Sequence, residues 1–298
     1  MKVTQLPDVE PGASPRSVAI GTFDGVHLGH REVIKGADTV LTFDPHPLSV
    51  IHPEATPKLI APFSVKRDLI ESLGVGEMVV IPFDKGFSGQ SAEEFVQDVL
   101  IDRLGAERVS VGENFRFGQG AKGTAEFLSS RDEFETRVVP LVEVAGEAVS
   151  SSQIRGLIAA GELAQAVEFL GGPFFFEGEV VTGDRRGREL GVPTANLVPD
   201  DAYVSPGHGV YAAVAEGYPT AVNVGVRPTF DTGRGLLVEA HLIGFDGDLY
   251  GKQLRIAFLE RMRGEKRFDS VDELVEQMQR DLVDARQIAD RLLRFPAR

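Results

Sequence analysis

Two histidines three residues apart, His27 and His30, are the side chains of this sequence best placed to do chemistry. They close the stretch VAIGTFDGVHLGH, in which Val18, Ala19 and Ile20 predict a short buried strand and the glycines that follow predict a turn. The spacing places both imidazoles on one face at the start of a helix, above its first free N–H groups. Helix N–H groups, the positive end of the helix dipole and imidazole donors all stabilise negative charge, so the stretch predicts a phosphate site.

Composition limits the classes of protein that fit this chain. Its 298 residues predict two domains of about 150 residues each. Hydrophobic residues make up 42% of the chain and charged residues 26%, which is typical of a globular protein with apolar cores. A formal net charge of −14 argues against a nucleic-acid or anionic-membrane surface, so we expect neither partner.

The cysteine count and the hydropathy pattern exclude further classes. The chain has no cysteine, which excludes disulfides, thiol catalysis and thiolate metal sites. It also has no apolar run of about 18 residues and no signal-peptide pattern. We therefore expect a cytoplasmic protein, as a monomer or a weak homo-oligomer.

A second group of polar side chains follows the predicted strand at residues 39–43. Asp44 ends this strand, and His46 follows between two prolines, which cannot continue a strand interior. Ligands bind at the carboxyl ends of strands in open parallel sheets, so Asp44 and His46 are candidate site residues. A rigid turn that binds nothing is the alternative.

Strands and helices alternate through the rest of the first half, which predicts a doubly wound parallel sheet. Asn114 and Phe117 follow one of these strands, where an amide can bind a base or phosphate edge and a ring can stack on another ring. Phe117 fits a core position equally well. The predicted elements are helices at 64–73 and 91–104 and strands at 78–82, 109–112 and 138–144.

Three serines open the next predicted helix. Ser150, Ser151 and Ser152 supply an N-cap and hydroxyl donors, and Arg155 lies one turn inside the helix. A well-capped helix explains this pattern by itself, but after the preceding motifs it predicts contacts to a triphosphate. A short apolar helix and a Gly-Gly-Pro sequence follow, so we place the boundary after residue 171, which gives domains 1–171 and 172–298.

The second half has the pattern of an all-β domain. Its glycine-rich basic loop, GDRRGRELG, contains residue types that wrap phosphates. Thr194 and Asn196 follow, with oxygen atoms of the kind that Mg²⁺ accepts beside phosphates. Short strands at turn-rich spacing then predict a β-barrel, and apolar residues at helical spacing over 269–293 predict an amphipathic helix that covers it.

Both halves resemble known enzyme families. The strand followed by G-x-F-D-G-x-H-x-G-H resembles the signature of the HxGH nucleotidylyltransferases, which transfer a nucleoside monophosphate and release pyrophosphate. The second half resembles riboflavin kinase in the segments GDRRGRELGVPTANL, VEAHL, FDGDLYGK and RMRGEKRFDS. From about residue 16 onward, the chain resembles the prokaryotic bifunctional riboflavin kinase/FMN adenylyltransferases, or FAD synthetases.

This resemblance implies a fold and two reactions. The fold is α/β: a Rossmann-like nucleotidylyltransferase domain with a parallel sheet, followed by a six-stranded β-barrel riboflavin kinase domain with a C-terminal helix. The barrel domain would convert riboflavin and ATP to FMN, and the first domain would convert FMN and ATP to FAD and pyrophosphate. Mg²⁺ would arrive with ATP, and the partners would be ATP, riboflavin, FMN and FAD.

The resemblance also assigns roles to individual residues. Glu239 would take the proton from the ribityl hydroxyl, beside Thr194 and Asn196 as ligands of Mg²⁺ and phosphate. His27 and His30 would neutralise charge as the FMN phosphate attacks the α-phosphorus of ATP. The residues that the resemblance implies to bind ATP or its phosphates are Gly21, Phe23, Asp24, Gly25, Gly29, Asn114, Ser150, Ser151, Ser152, Arg155, Gly183, Arg186, Gly187 and Gly191. Those implied to contact the flavin are Phe43, Asp44, His46, Arg263 and Glu265.

One segment departs from the family pattern. Only the 11 residues REVIKGADTVL separate His30 from TFDPHP, and a helix over residues 31–36 makes under two turns, which hardly crosses a sheet. Either this is a deletion, which would weaken the adenylyltransferase site, or a mobile segment is missing from the sequence. Two alternatives stay open: a riboflavin kinase with an impaired adenylyltransferase domain, and a flavin-binding protein without turnover.

Overall fold

The computed structural model describes residues 1–11, 15–181, 194–227 and 235–294. The chain forms two compact units. The first consists of Met1–Pro57 and Phe63–Ser151, and the second of Lys58–Pro62 and Ser152–Arg298. Each unit has its own principal sheet and its own buried residues.

The first unit is built on a parallel sheet, as the sequence predicts, and this sheet has six strands. Its strands, including four short ones outside the main sheet, are β1 (Lys2–Gln5), β2 (Arg16–Ile20), β3 (Thr39–Asp44), β4 (Glu77–Pro82), β5 (Ala106–Gly112), β6 (Arg116–Phe117), β7 (Gly123–Thr124), β8 (Glu135–Val139), β9 (Glu143–Val144) and β10 (Glu147–Ala148). The order in the sheet is β1-β4-β3-β2-β5-β8, and all neighbours are parallel. The central strands β3 and β4 are buried along nearly their whole length, as expected for a parallel sheet that is covered on both faces.

Most of the helices are short. Those of the described chain are α1 (Leu28–Ile34), α2 (Pro47–Ile51), α3 (Phe63–Ser72), α4 (Lys85–Ser88), α5 (Ala92–Glu94), α6 (Ala125–Ser129), α7 (Ser151–Ala160), α8 (Leu163–Leu170) and α9 (Val271–Arg294). A π-helix, Phe95–Arg103, continues α5, and three 3₁₀ turns cover Leu6–Asp8, Pro53–Ala55 and Gln119–Ala121. Ser91 and Glu94 form a capping box at the start of α5, so the start predicted there is confirmed.

The short helix α1 does cross the sheet. It spans seven residues, yet β2 and β3 pair in parallel with Val18 opposite Thr39. Its C-terminal carbonyl groups find a partner in Arg137 of β8, whose guanidinium donates to Glu32 and Lys35 at 2.9 and 3.0 Å. The expectation that so short a helix hardly crosses the sheet is wrong, because the connection includes the loop before the helix and spans residues 21–38, more than the roughly dozen residues that a parallel crossover needs.

One predicted strand is also wrong. The sequence predicted a continuous strand over residues 138–144, but β8 ends at Val139 and the short β9 begins only at Glu143. Pro140 follows β8 directly, and proline cannot donate to a strand ladder.

The second unit contains the predicted six-stranded barrel. Its strands are β11 (Phe174–Val181), β12 (Ala195–Leu197), β13 (Gly209–Ala215), β14 (Tyr218–Arg227), β15 (Gly235–Leu242) and β16 (Gln253–Arg263). They close in the order β11-β12-β15-β14-β13-β16, with antiparallel neighbours. The rings of Tyr211 and Phe258 meet edge to face in its core at 5.5 Å.

Helix α9 covers the barrel, as its amphipathic pattern predicts. It packs against β13, β14 and β16. The guanidinium of Arg263, at the end of β16, donates to both carboxylate oxygens of Asp281 at 2.7 to 3.2 Å. Gln277 donates to the same carboxylate at 2.9 Å, so the helix is fixed to the barrel by a paired charge as well as by apolar contacts.

The helices between the two halves belong with the barrel by their contacts. The Gly207 N–H donates to the carbonyl of Ile158 in α7 at 3.0 Å, and α8 packs against β11 and β16. The first unit consequently ends at Ser151, before the boundary that the sequence predicts after residue 171. That difference arises because the sequence pattern does not reveal which sheet an apolar helix will cover.

Candidate active sites

The paired histidines open helix α1, as the sequence predicts. His27 is the N-cap residue, and its Nδ1 accepts a hydrogen bond from the His30 backbone N–H at 3.3 Å. An accepting Nδ1 carries no proton, so the neutral His27 ring is protonated on Nε2. The two rings stack at 3.5 Å between centroids, and Phe23 packs edge-on against His30 at 5.4 Å. Both imidazoles are thus held at the positive end of the helix dipole, where donation to phosphate oxygens is favoured.

The loop between β2 and α1 has an unusual backbone. Phe23 and Val26 have φ angles of 50° and 45°, in the left-handed region that residues with side chains rarely adopt. Such residues cost about 1–3 kcal/mol each and persist only where their surroundings fix them. Ser151 Oγ donates to the Asp24 carbonyl at 3.1 Å, and Arg31 Nε donates to the Val26 carbonyl at 3.1 Å. Side chains therefore hold the loop that carries the histidine pair.

A cavity of about 780 Å³ lies beside the histidine pair. The predicted site residues that line it are Gly21, Phe23, His27, Gly29, His30, Phe43, His46, Asn114, Ser150 and Ser151. Asp24 and Gly25 lie in the loop after β2, and Asp44 ends β3, but none of the three is among the residues that line the cavity. The cavity thus gathers loops that follow β2, β3 and β5, at the sheet edge where a parallel sheet binds its ligands.

Local turns fix the other polar groups that line the cavity. His46 caps α2, and its Nδ1 accepts from the Leu48 backbone N–H at 3.2 Å. Asn114 lies in a turn closed by the Phe115 N–H and the Gly112 carbonyl at 2.9 Å. A Cβ at Gly112 would lie 3.2 Å from Asn114 Oδ1, so the glycine leaves room for the amide.

A row of phenylalanines also lines the cavity. Phe43 and Phe83 meet edge to face at 5.8 Å, and Phe115 and Phe117 stack at 5.5 Å. The phenylalanines of the cavity wall are Phe23, Phe43, Phe83, Phe87, Phe95, Phe115 and Phe117. Sequence reasoning missed Phe83, Phe87 and Phe95. A signal existed for Phe83, because it directly follows β4, just as His46 lies two residues after the end of β3.

The second unit brings three polar side chains together on adjacent barrel strands. Asn196 of β12 lies opposite Glu239 of β15, and Glu239 lies opposite Asn223 of β14. Val238 and Ala240 point into the core, so the alternation of a strand puts Glu239 on the outer face. The Asn223 Nδ2 donates to Glu239 Oε2 at 3.1 Å, which orients the carboxylate. Sequence reasoning missed Asn223, because only the cross-strand register gives this asparagine a partner.

Glu265 and Arg263, both predicted to contact the flavin, have different surroundings. A Cβ at Gly225 would lie 3.1 Å from Glu265 Oε1, so the Glu265 carboxylate lies close to β14. Gly225 is two residues after Asn223 on that strand. Arg263 instead directs its guanidinium to Asp281 of α9. Arg263 therefore has a structural contact that the sequence did not predict, and its flavin contact stays a prediction.

The remaining predicted residues form three groups. Ser152 and Arg155 lie in the second unit, where Arg155 Nη1 donates to Ser152 Oγ at 3.4 Å. Thr194 is half-buried and directly precedes β12. Gly183, Arg186, Gly187 and Gly191 lie outside the described residues.

Comparison with known proteins identifies both halves of the chain. A family model described as FAD synthetase matches residues 10–153, and one described as riboflavin kinase matches residues 170–289. A bifunctional riboflavin kinase/FMN adenylyltransferase of Bacillus subtilis (strain 168) is 35% identical over 290 residues, which cover 90% of each chain. The protein of that name in Escherichia coli (strain K12) is 34% identical over 288 residues, which cover 91% of each.

The chain belongs to the bifunctional riboflavin kinase/FMN adenylyltransferase family. The predicted family and its predicted place in FAD biosynthesis are confirmed by these relatives and by both family models. Riboflavin kinase and FMN adenylyltransferase, the two predicted activities, are those of this family. The roles of individual residues stay predictions.

A solved structure from Streptococcus pneumoniae, described as a macrolide-efflux protein, is similar as well. It is 32% identical, with a TM-score of 0.84 over 96% of this chain and 99% of that one. Within the ranges described for this member of the bifunctional family, no helix is long and apolar enough to cross a membrane. The predicted cytoplasmic location stays a prediction.

Proposed function

We propose that this chain makes FMN from riboflavin and ATP in its second unit and FAD from FMN and ATP in its first. One observation supports the adenylyltransferase half most strongly: a single cavity has the stacked pair His27 and His30 on its wall together with a row of phenylalanines. Phosphate groups suit the first and a flat flavin ring suits the second. For the kinase half, the barrel carries the polar side chains of Asn196, Glu239 and Asn223, which suit phosphoryl transfer.

In the proposed adenylyl transfer, a phosphate oxygen of FMN attacks the α-phosphorus of ATP. A new P–O bond forms as the bond from the α-phosphorus to the bridging oxygen breaks, and pyrophosphate leaves with that oxygen. Negative charge grows on the phosphorus oxygens, where His27, His30 and the first N–H groups of α1 can donate to them. No covalent enzyme intermediate is required.

In the proposed kinase reaction, the terminal ribityl hydroxyl attacks the γ-phosphorus of ATP and ADP leaves. Glu239 accepts the proton from that hydroxyl, with its carboxylate oriented by Asn223. Phosphoryl transfer depends mainly on positioning and on neutralising charge, so a single base and a cation suffice. The glycine-rich basic loop, which includes Gly183, Arg186, Gly187 and Gly191, would cover the phosphates of ATP.

The donor set beside Glu239 fits Mg²⁺. Thr194 and Asn196 offer a hydroxyl and an amide oxygen, both hard ligands, and Asn196 lies directly opposite the carboxylate on the neighbouring strand. Mg²⁺ usually binds through one or two protein oxygens together with substrate phosphates. The ion would neutralise phosphate charge, and Thr194 and Asn196 would hold it.

The test is to incubate the purified chain with riboflavin, ATP and Mg²⁺ and to separate the flavins by chromatography. FMN followed by FAD is the expected result, and a parallel reaction with EDTA should form neither. FMN without FAD would contradict the proposal for the first unit and favour a kinase with an impaired partner. No new flavin at all would contradict both halves and favour a binding protein.

A further inference from the structure

The first unit contains a buried lysine that no part of the proposed chemistry uses. Lys66 belongs to α3 and is only 9% exposed. Its Nζ lies 3.4 Å from the carbonyl oxygen of Thr22, 3.3 Å from Thr42 Oγ1 and 5.3 Å from the centroid of the Phe63 ring. Burying an ammonium group costs free energy unless polar contacts replace its lost hydration. The contacts of Lys66 therefore indicate which parts of the structure it stabilises.

Lys66 fastens the end of β2 to the end of β3. Backbone pairing between these strands continues to Gly21, whose N–H donates to the Leu41 carbonyl at 3.1 Å. The next carbonyl, that of Thr22, is bound by side chains: Thr42 Oγ1 donates to it at 3.2 Å and Lys66 Nζ at 3.4 Å. Thr22 lines the cavity and immediately precedes the left-handed Phe23. The side-chain contacts therefore begin where the strand ladder stops and the strained loop starts.

Two acidic residues, one in the loop after β2 and one at the end of β3, interact electrostatically with the ammonium. Asp24 lies in the loop that leads to His27, and Asp44 lies at the end of β3, two residues before His46. Burial lowers the pKa of Lys66, and the charges of Asp44 and Asp24 oppose that shift. One cation thus interacts with the loop that follows β2 and with the end of β3.

We propose that Lys66 is a positioning residue for adenylyl transfer, which fixes the loop that leads to His27 and His30 relative to the end of β3, the strand that precedes His46. The proposal rests on the proposed function of the first unit. If the histidines are misplaced, the transition state is stabilised less, whereas the binding of FMN changes little. Loss of the ammonium should therefore lower kcat for FAD formation more than it raises KM for FMN. All the contacts of Lys66 described above lie in the first unit, so riboflavin phosphorylation should not change.

The absence of cysteine from the chain allows a direct test of the charge. In the variant K66C, the single thiol is alkylated in the unfolded chain with 2-bromoethylamine, which restores an ammonium on a side chain of lysine's length. A second sample is alkylated with iodoacetamide, which gives a neutral side chain of the same length. Both samples and the unmodified variant are refolded, and FMN-to-FAD and riboflavin-to-FMN rates are measured beside the wild-type chain.

We expect the unmodified and amide forms to lose about tenfold or more in kcat for FAD formation, and the aminoethyl form to recover most of it. All forms should retain the kinase rate. Equal FAD rates in the two alkylated forms, or an unmodified variant as active as wild type, would overturn the proposal.

Two further measurements keep the outcome clear. If K66C fails to refold, as shown by loss of the kinase rate as well, the variant T42V replaces it. T42V removes the hydroxyl that Lys66 and Thr22 share and should lower kcat for FAD formation while the kinase rate stays unchanged. A T42V rate equal to wild type would overturn the proposal. A wild-type chain that makes no FAD would remove the proposed function itself, and Lys66 would then have no adenylyl transfer to position.

Discussion

The two candidate sites use different kinds of scaffold. In the first unit, loops from separate strand ends converge on one cavity, and the histidine pair depends on a backbone held by Ser151, Arg31 and Lys66. In the second, Asn196, Glu239 and Asn223 lie side by side because the ladder register places them there. The comparison implies that the first site is sensitive to residues that hold its loop, whereas the second depends on the side chains that react.

The sharpest test of this difference is removal of the carboxylate of Glu239. In E239Q, loss of the base should lower FMN formation about 10²- to 10⁴-fold. Rates are measured with riboflavin as substrate, and FAD formation from supplied FMN should not change. E260Q is a control, because Glu260 is also a carboxylate on a barrel strand and lies exposed to solvent. An E239Q variant with wild-type FMN formation would rule out Glu239 as the base.

The histidine pair gives the corresponding test in the first unit. His30→Ala and His27→Asn each remove one imidazole, and asparagine at position 27 keeps an N-cap side chain. Each should lower FAD formation from FMN about 10²- to 10³-fold, as for other losses of a preorganised donor. Riboflavin phosphorylation by the same variants is the internal control. Unchanged FAD formation in both variants would show that the stacked pair does not act on phosphate.

Asn223 tests whether register alone makes the second site. In N223A, Glu239 loses the hydrogen-bond donor at 3.1 Å. The kcat for FMN formation should then fall about tenfold, which corresponds to the lower end of the energy range for a hydrogen bond to a charged group. In N223D, a second carboxylate would repel the first, so we expect a larger loss. An N223D variant more active than N223A would contradict an orienting role for the amide.

The difference between the scaffolds also decides what the sequence could predict. His27 and His30 were predictable because a strand, a glycine turn and a helix start are local patterns, and the structure keeps them local. The barrel and α9 were predictable for the same reason, from turn spacing and apolar periodicity.

Residues whose partners are distant in sequence were missed. In the sequence, Asn223 is only an asparagine within an apolar strand, and its partner Glu239 is known only from the pairing register of β14 and β15. Lys66 appears in sequence as one polar residue of an amphipathic helix, and only the packing of α3 under Thr22 and Thr42 buries its ammonium. Phe87 and Phe95 likewise have the pattern of ordinary core residues, and only the folded structure shows that they line the cavity.

Arg137 offers a smaller effect, on the stability of the first unit's scaffold. Its guanidinium donates to the carbonyls of Glu32 and Lys35 at the end of α1, where helix carbonyls lack partners. R137A should lower the free energy of unfolding by about 1 kcal/mol and should lower FAD formation more than FMN formation. R137K keeps the charge but not the two fixed donors, and we expect an intermediate result in denaturant unfolding. Equal effects on both activities would show that α1 does not depend on this contact.

The smallest expected effect is a pH dependence within the first unit's sheet. Burial raises the pKa of Glu77, but hydrogen bonds from Arg16 and Lys2 and their charges lower it further, so its pKa is below the ordinary value of 4.5. The charged form therefore stabilises the folded state at pH values above 4.5, and that contribution is lost as the pH falls below it.

E77Q should be less stable than wild type at neutral pH by about 1 kcal/mol or less, as for other partly exposed ion pairs. Denaturant unfolding of both chains at a series of pH values should show this difference constant down to pH 5 and shrinking in more acidic solution, because protonated Glu77 and glutamine are both neutral. A difference that widened on acidification would mean that Glu77 destabilises the sheet, and the contacts of Arg16 and Lys2 would not then explain its place.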